Sequence, residues 1–310
     1  MALQKRSLLS TDELTDADLR AVVARGVRHS AGQAARTLPL TGDVVGVYFR
    51  MTSTRTRTAF SAGALRLGAQ LVSYGPDDLQ TNTGESLADT GRMLGRMLDV
   101  VVARTGRPQR ELARWAAQKD VAVVNAMTAE EHPTQALADL TTLQARFGRV
   151  EGLRVLYTGE GNNTAAALAL ALTRFRGVHL ELRTPAGHGL SPQIRARAEA
   201  HARRSGATLA ERHHMDGLPA EVDAVYTSRW QTTGTSKADQ GWRAAFAPFQ
   251  VTAGLWEPYP KAVFLHDLPA HRGEEVTAEV LDGPMSVAFE QAENKMHSAM
   301  AVLEWCRGAL

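Results

Sequence analysis

The chain has 310 residues, enough for two domains or one large one. Apolar residues make up 44% and charged residues 22%, which excludes a disordered, collagenous or coiled-coil chain and leaves enough for a sizeable core. With 35 basic against 33 acidic residues the formal net charge is +2, which argues against strong attraction to nucleic acid or an anionic membrane.

In chain order, Met1 to Ser10 carries two basic residues with no long apolar run behind them, so no signal peptide is expected. No apolar stretch is long enough to span a bilayer, and a soluble cytoplasmic protein is the expectation. Val44–Phe49 is a buried-strand run, followed by a Ser/Thr/Arg cluster and a helical stretch from Arg57 to Leu67, closed by Gly68. Leu71–Tyr74 is a short strand, and Ser86–Leu98 a helix with Ser86 as N-cap and Asp89 completing a capping pattern. Strand Asp99–Ala103 precedes a helical stretch containing Arg114. Strand Val121–Val124 precedes helix Pro133–Phe147, whose proline sits in the first turn.

Gly148–Gly152 breaks the chain into halves and the pattern restarts. Strands at 154–158, 179–183 and 223–227 alternate with helices at 164–175 and 191–205. A further strand covers 262–266 and a long helix covers 287–307. Strands alternating with helices imply βαβ units, an α/β fold with a doubly wound, mostly parallel sheet in each half. The expected domains are 1–148, joined by the C-terminal helix 287–310, and 149–286. Ligands in such folds bind beyond the carboxyl ends of the strands.

Five places there carry chemistry. Ser53-Thr54-Arg55-Thr56-Arg57 lies where a strand turns into a helix, and hydroxyls, guanidiniums and unpaired helix N–H groups together suit a phosphate. An ordinary Ser or Thr cap explains only one of these residues, and the Gly-rich run and Lys-Ser/Thr pair of a nucleotide P-loop are missing. Arg104 follows a strand at the same end. His132, in Glu131-His132-Pro133-Thr134-Gln135, is placed to polarise a carbonyl, and Gln135, one turn on, to hold an NH₂ group. Gly159-Glu160-Gly161-Asn162-Asn163-Thr164 nearly matches the dinucleotide fingerprint, with Glu181 about 20 residues on, and supports a rival nicotinamide-dependent oxidoreductase. His266-Asp267 after a strand reads as a structural pair. The single cysteine, Cys306, allows neither an intramolecular disulfide nor a cysteine zinc site.

Taken together, these segments resemble the aspartate/ornithine carbamoyltransferase family. Ser-Thr-Arg-Thr-Arg is its carbamoyl phosphate motif, and Gly84-Glu85-Ser86, Arg104-Thr105, His132 to Leu140 and Gly159 to Asn163 follow in family order. Leu268 to Val276 and Gln291-Ala292-Glu293-Asn294 look like the ornithine branch. The resemblance implies two α/β domains with the active site in the cleft between them, a homotrimer with shared sites, and no metal or cofactor. It also implies that Ser53, Thr54, Arg55 and Thr56 take the phosphate of carbamoyl phosphate. Thr56, Arg104 and His132 would face the carbonyl oxygen, and Gln135 with the backbone carbonyl of Leu268 would hold the carbamoyl NH₂. Gln80 would come from a neighbouring subunit, and Lys295 stands in place of a donor-site arginine. The turn around Asn163 would hold the acceptor amine rather than a dinucleotide.

The departures from that pattern fall on acceptor recognition. Ornithine enzymes carry Asp-x-Trp-x-Ser-Met-Gly, where this chain has Ser228-Arg229-Trp230-Gln231-Thr232-Thr233-Gly234. Arg229 and Gln231 resemble the aspartate branch, where those positions serve carboxylates. Asp267 replaces a Cys beside the carbamoyl group. The expected acceptor is therefore a short diamino acid such as 2,3-diaminopropionate, in a specialised, secondary-metabolic pathway. Ornithine carbamoylation for arginine biosynthesis is the alternative, and a non-catalytic paralogue a third reading.

Overall fold

The structure, a computed structural model, describes residues 5–34, 37–118 and 120–310. The first four residues of the segment read for a signal peptide lie outside the described residues. The chain divides into two compact units, one of Met1–Ala145 with Glu293–Leu310 and one of Arg146–Ala292.

The first unit contains α1 (Asp16–Ser30), β1 (Val44–Phe49), α2 (Arg55–Arg66), β2 (Gln70–Tyr74), α3 (Leu87–Met97), β3 (Val100–Arg104), α4 (Arg110–Ala116), β4 (Ala122–Asn125) and α5 (Pro133–Phe147). Its four strands are parallel, in the order β2-β1-β3-β4. A parallel sheet covered on both faces needs continuous apolar strands, and every residue of β3 and β4 is buried. Local signals set the helix ends. The Thr15 side chain caps α1 by accepting the Asp18 N–H at 3.0 Å. Ser86 caps α3 in the same way through Asp89, at 3.1 Å.

The second unit contains β5 (Arg154–Thr158), α6 (Asn163–Leu172), β6 (His179–Arg183), α7 (Pro192–Ser205), β7 (Thr208–Arg212), β8 (Ala224–Thr227), α8 (Trp242–Phe246), α9 (Ala253–Trp256), β9 (Val263–His266) and α10 (Ala278–Leu281). Its five strands are also parallel, in the order β7-β6-β5-β8-β9. Helix α6, made almost wholly of Ala and Leu, is buried along its whole length.

The last helix, α11 (Ala288–Cys306), belongs from Glu293 onward to the first unit. There a buried ionic cluster ties it to α1. Glu304 accepts from Arg25 Nε at 2.8 Å and contacts His29 Nε2 at 2.8 Å. Burial alone would raise the Glu304 pKa, but hydrogen bonds from Arg25 and His29 outweigh it and hold the carboxyl below its usual range.

Three features differ from the sequence reading. Helix α2 begins at Arg55, not Arg57, so Arg55 and Thr56 lie in its first turn. Arg104 is the last residue of β3, paired across from Phe49, rather than a residue beyond the strand. Helix α1, edge strand β7 and the short helices α8, α9 and α10 were not expected. Strand β7 has five residues, none fully buried, so it lacks the apolar run that marks the inner strands.

Cys306 is fully buried, and burial pushes its thiol pKa up to about 12. The thiolate is the reactive form. Ellman's reagent at pH 8 is therefore expected to label no thiol in the folded protein and one per chain in guanidinium. Prompt labelling of the native protein would contradict this packing.

Candidate active site

In each sheet the chain winds outward in both directions from a central pair of strands. In the first unit that switch point lies between β1 and β3. Loops leaving the carboxyl ends of such a pair diverge and open a crevice. The 50–54 turn leaves β1 there, and Arg104 ends β3 beside it, with Arg50 N–H donating to the Arg104 carbonyl at 3.0 Å. Thr54 at the head of α2 makes no side-chain capping bond and has helical backbone angles itself. The Thr54 hydroxyl is thus not spent as the ordinary cap that was the plain alternative. Thr56 is buried, while Ser53 and Arg55 are half-buried and Thr54 is exposed.

His132 arrives from the loop after β4. Glu131, 1% exposed, fixes that loop by accepting the backbone N–H of Thr11 at 2.8 Å and the hydroxyls of Ser10 and Thr11 at 2.5 and 2.7 Å. His132 Nε2 contacts Arg104 Nη1 at 3.3 Å, and Nδ1 contacts the Thr134 hydroxyl at 3.2 Å. A guanidinium only donates, so Nε2 is the acceptor and the ring proton sits on Nδ1. Burial, then the charges of Arg104 and Lys295, hold the His132 pKa well below its ordinary value. The sequence reading has this ring polarising a carbonyl directly. Here its Nε2 instead aims a guanidinium.

Gln135 is oriented by the side chain one turn along α5. Its Nε2 donates to Asp139 Oδ1 at 2.7 Å, while its buried Oε1 accepts no hydrogen bond among the described residues. Gln135 lines a small cavity with Thr56, Phe60, His132, Thr134 and Lys295. Lys295, on α11, is 7% exposed. Gln80 does not line that cavity. It is exposed in a short 3₁₀ turn, Gln80–Thr83, with its amide oxygen accepting from the Thr83 hydroxyl at 2.6 Å. Three contributors carried no role in the sequence reading: Glu131, Thr134 and Asp139. The four-residue spacing of Gln135 and Asp139 on a helix was the available signal for one of them.

In the second unit the switch point lies between β5 and β8. The 159–163 turn leaves β5 and the 228–234 segment leaves β8. Gly159 has φ +114°, and a Cβ on Gly161 would fall 2.3 Å from the Gly189 backbone. Both glycines are therefore needed for the turn and its packing. Asn162 Oδ1 accepts the Thr164 and Ala165 N–H groups at 3.0 and 3.1 Å, occupying the first-turn donors that a pyrophosphate would use. Glu181 accepts from Arg183 at 2.7 Å rather than standing free for a ribose. These contacts correct the oxidoreductase reading of this turn.

Asn163 opens α6 and is buried. The Ser228 hydroxyl, 1% exposed, contacts Tyr157 Oη at 2.6 Å and accepts from Asn162 Nδ2 at 3.0 Å. Thr232 donates to Glu160 Oε2 at 3.3 Å, and Gln231 donates to the Thr235 carbonyl. Thr233 is half-buried. Arg229, also half-buried, has no ion-pair or hydrogen-bond partner among the described residues.

After β9, Asp267 Oδ2 accepts from the Thr164 hydroxyl at 2.9 Å. Leu268 has φ +55°, and its N–H donates to His266 Nδ1 at 2.8 Å. His266 Nε2, carrying the proton, donates to buried Glu275 at 3.1 Å. The histidine is thus a satisfied structural group that fixes the backbone of Leu268, but its hydrogen-bonded carboxylate is Glu275 and not the Asp267 of the expected pair, whose Oδ1 lies 3.5 Å from Nδ1.

Residues 6–145 match the family model described as "Aspartate/ornithine carbamoyltransferase, carbamoyl-P binding domain", and residues 151–306 match the "Asp/Orn binding domain" model of the same family. The chain is 41% identical over 297 residues to an ornithine carbamoyltransferase of Symbiobacterium thermophilum, covering 95% of this chain and 94% of that one. It is 35% identical over 317 residues to the ornithine carbamoyltransferase of Thermococcus kodakarensis, covering 100% and 99%. Among solved structures, ornithine carbamoyltransferase from Pyrococcus furiosus superposes with a TM-score of 0.91 at 33% identity, covering 100% of this chain and 99% of that one.

The His132 geometry has a direct check. By ¹⁵N NMR the ring is expected to stay neutral, with the proton on Nδ1, at pH 6, where an ordinary histidine of pKa about 6.5 is mostly protonated. Because the folded pKa is depressed, this group's contribution to stability is present above about pH 6.5 and is lost as pH falls towards the folded pKa. An imidazolium signal from His132 at pH 6 would contradict the assignment.

Proposed function

Because the chain belongs to the aspartate/ornithine carbamoyltransferase family, we propose that this carbamoyltransferase moves the carbamoyl group of carbamoyl phosphate to the side-chain amine of ornithine. The observation that supports the donor half best is the buried, unpartnered Oε1 of Gln135. With Nε2 held by Asp139, the amide offers an acceptor to an NH₂ group. A buried acceptor left unsatisfied is costly, and a carbamoyl NH₂ is the group that would satisfy it.

In this reading the phosphate of carbamoyl phosphate sits against the head of α2, on Ser53, Thr54, Arg55 and Thr56, with Lys295 adding positive charge. The amine attacks the carbamoyl carbon, a tetrahedral oxyanion forms, and phosphate leaves. Preorganised donors aimed at that developing charge supply the largest part of such catalysis. Arg104 and Thr56 are the donors, and neutral His132 aims Arg104. A neutral ring also avoids a third positive charge beside Arg104 and Lys295. The departing phosphate takes the proton from the attacking amine, so no separate base is required.

The acceptor is assigned to the second unit, through Asn163, Ser228, Arg229, Gln231, Thr232, Thr233 and Asp267. The relatives' activity supports ornithine, and the unpaired guanidinium of Arg229 suits the amino acid's carboxylate. One observation favours a second reading, a shorter diamino acid. Ser228 offers no carboxylate for an α-ammonium and its hydroxyl is already engaged, while Asp267 places a carboxylate after β9.

Two experiments test these assignments. A charged hydrogen bond to a buried anion is worth about 1.5–3 kcal/mol, so Arg55→Ala is expected to weaken carbamoyl phosphate binding roughly 10- to 150-fold. Calorimetry giving wild-type affinity in the folded variant would remove Arg55 from the donor site. In an acceptor panel, ornithine is expected to give the highest kcat/KM. A panel led by 2,3-diaminopropionate or 2,4-diaminobutyrate, with Asp267→Cys narrowing their lead, would establish the second reading instead.

A further inference from the structure

The segment that carries Gln231, Thr232 and Thr233 has no regular secondary structure from Trp230 to Gly241. Ordering such a stretch costs backbone entropy at every residue, so side-chain anchors must hold it. Its two ends are fixed by aromatic packing. Trp230, Trp242 and Phe246 form a hydrophobic cluster, with ring centroids 5.7 Å apart for Trp230 and Phe246 and 5.4 Å for Trp242 and Phe246. Between the ends, one charged side chain turns inward. Lys237 is 10% exposed at its side chain, and its ammonium forms an ion pair with Glu160, itself 17% exposed. The same ammonium lies 4.9 Å from the Phe246 ring centroid and 5.5 Å from that of Trp242. Carboxylate on one side and aromatic faces on the other are what a desolvated ammonium requires.

Glu160 serves two parts of the segment at once. Oε1 takes Lys237 and Oε2 takes the Thr232 hydroxyl. Its backbone carbonyl accepts from Tyr157 Oη, which in turn meets the Ser228 hydroxyl. The His188 ring, 4.8 Å from Phe246, completes this wall, and its own backbone carbonyl accepts the Gly161 N–H at 2.7 Å. The turn after β5 and the segment after β8 are thereby locked together.

We propose that Lys237 is a positioning residue for the acceptor amine. Seated on Glu160 and the Trp242–Phe246 rings, it holds residues 231–233 in the conformation that receives the substrate. It acts through the segment and does not touch the reacting atoms. This rests on the reading that the second unit binds the amine.

The full-length Lys237→Met variant keeps the apolar stem and loses the charge, while Lys237→Arg keeps both the ion pair and the contact with the rings. With Met at this position, KM for the acceptor is expected to rise roughly tenfold, with the KM for carbamoyl phosphate unchanged within about twofold. Arg should restore most of the loss. Glu160→Gln should reproduce the effect, and the double variant should be no worse than either single one, as partners in one interaction require. Thermolysin cleavage within 231–241 should be faster in the Met variant than in wild type or the Arg variant. This second readout separates the two claims. A wild-type protein that carbamoylates no amine defeats the acceptor reading, while cleavage still decides whether Lys237 anchors the segment. Wild-type cleavage together with an unchanged acceptor KM in Lys237→Met would overturn the proposal.

Discussion

A parallel strand delivers its chemistry at one end only, and the two sheets of this protein depend on that constraint. Every strand in a parallel sheet points the same way, so every loop that can hold a ligand leaves from one edge. The order β2-β1-β3-β4 then decides which loops diverge. Phe49 and Arg104 are register partners at the ends of β1 and β3, so the turn that leaves β1 starts beside Arg104 although the two strands are far apart in the chain. In the second sheet the same logic pairs the turn after β5 with the segment after β8.

What distinguishes the candidate site from a surface of polar residues is how far each side chain is fixed by another. Thr134 takes the Nδ1 proton of His132, which leaves Nε2 for Arg104. Asp139 takes the amide N–H of Gln135, which leaves Oε1 open. Glu131 ties the loop that carries His132, just ahead of α5, to Ser10 and Thr11. Preorganisation of this kind is what an oxyanion and a carbamoyl NH₂ call for, since donors already in place need not reorganise as charge develops. The cost is a buried acceptor, Gln135 Oε1, with no hydrogen bond among the described residues.

Much of this was legible in the sequence, for reasons that differ by element. Helix α5 is legible to the residue because Pro133 starts it and Gly148 follows its end. Strand β1 is likewise legible to the residue, from its apolar run and the Ser/Thr/Arg turn that follows it. The start of α2 lies two residues ahead of the helical pattern, because the Ser/Thr run reads as a turn while first-turn N–H groups need no helical partner. Edge strand β7 gave no apolar run to find. The position of His132 was readable, but its tautomer was not, because that depends on a guanidinium 28 residues away in the chain. The Lys237–Glu160 pair spans 77 residues and belongs to no periodic pattern, so only the folded chain brings it into view.

Transfer of a carbamoyl group from its phosphate to an amine is the reaction that the proposed site roles share, and ¹³C NMR follows it directly. With ¹³C-carbamoyl phosphate, ornithine and the wild-type protein, the donor signal is expected to give way to a ureido carbon, with one phosphate released per carbamoyl transferred. Decay of the donor only at the rate seen without protein, with no ureido signal from ornithine or any shorter diamino acid, would contradict it.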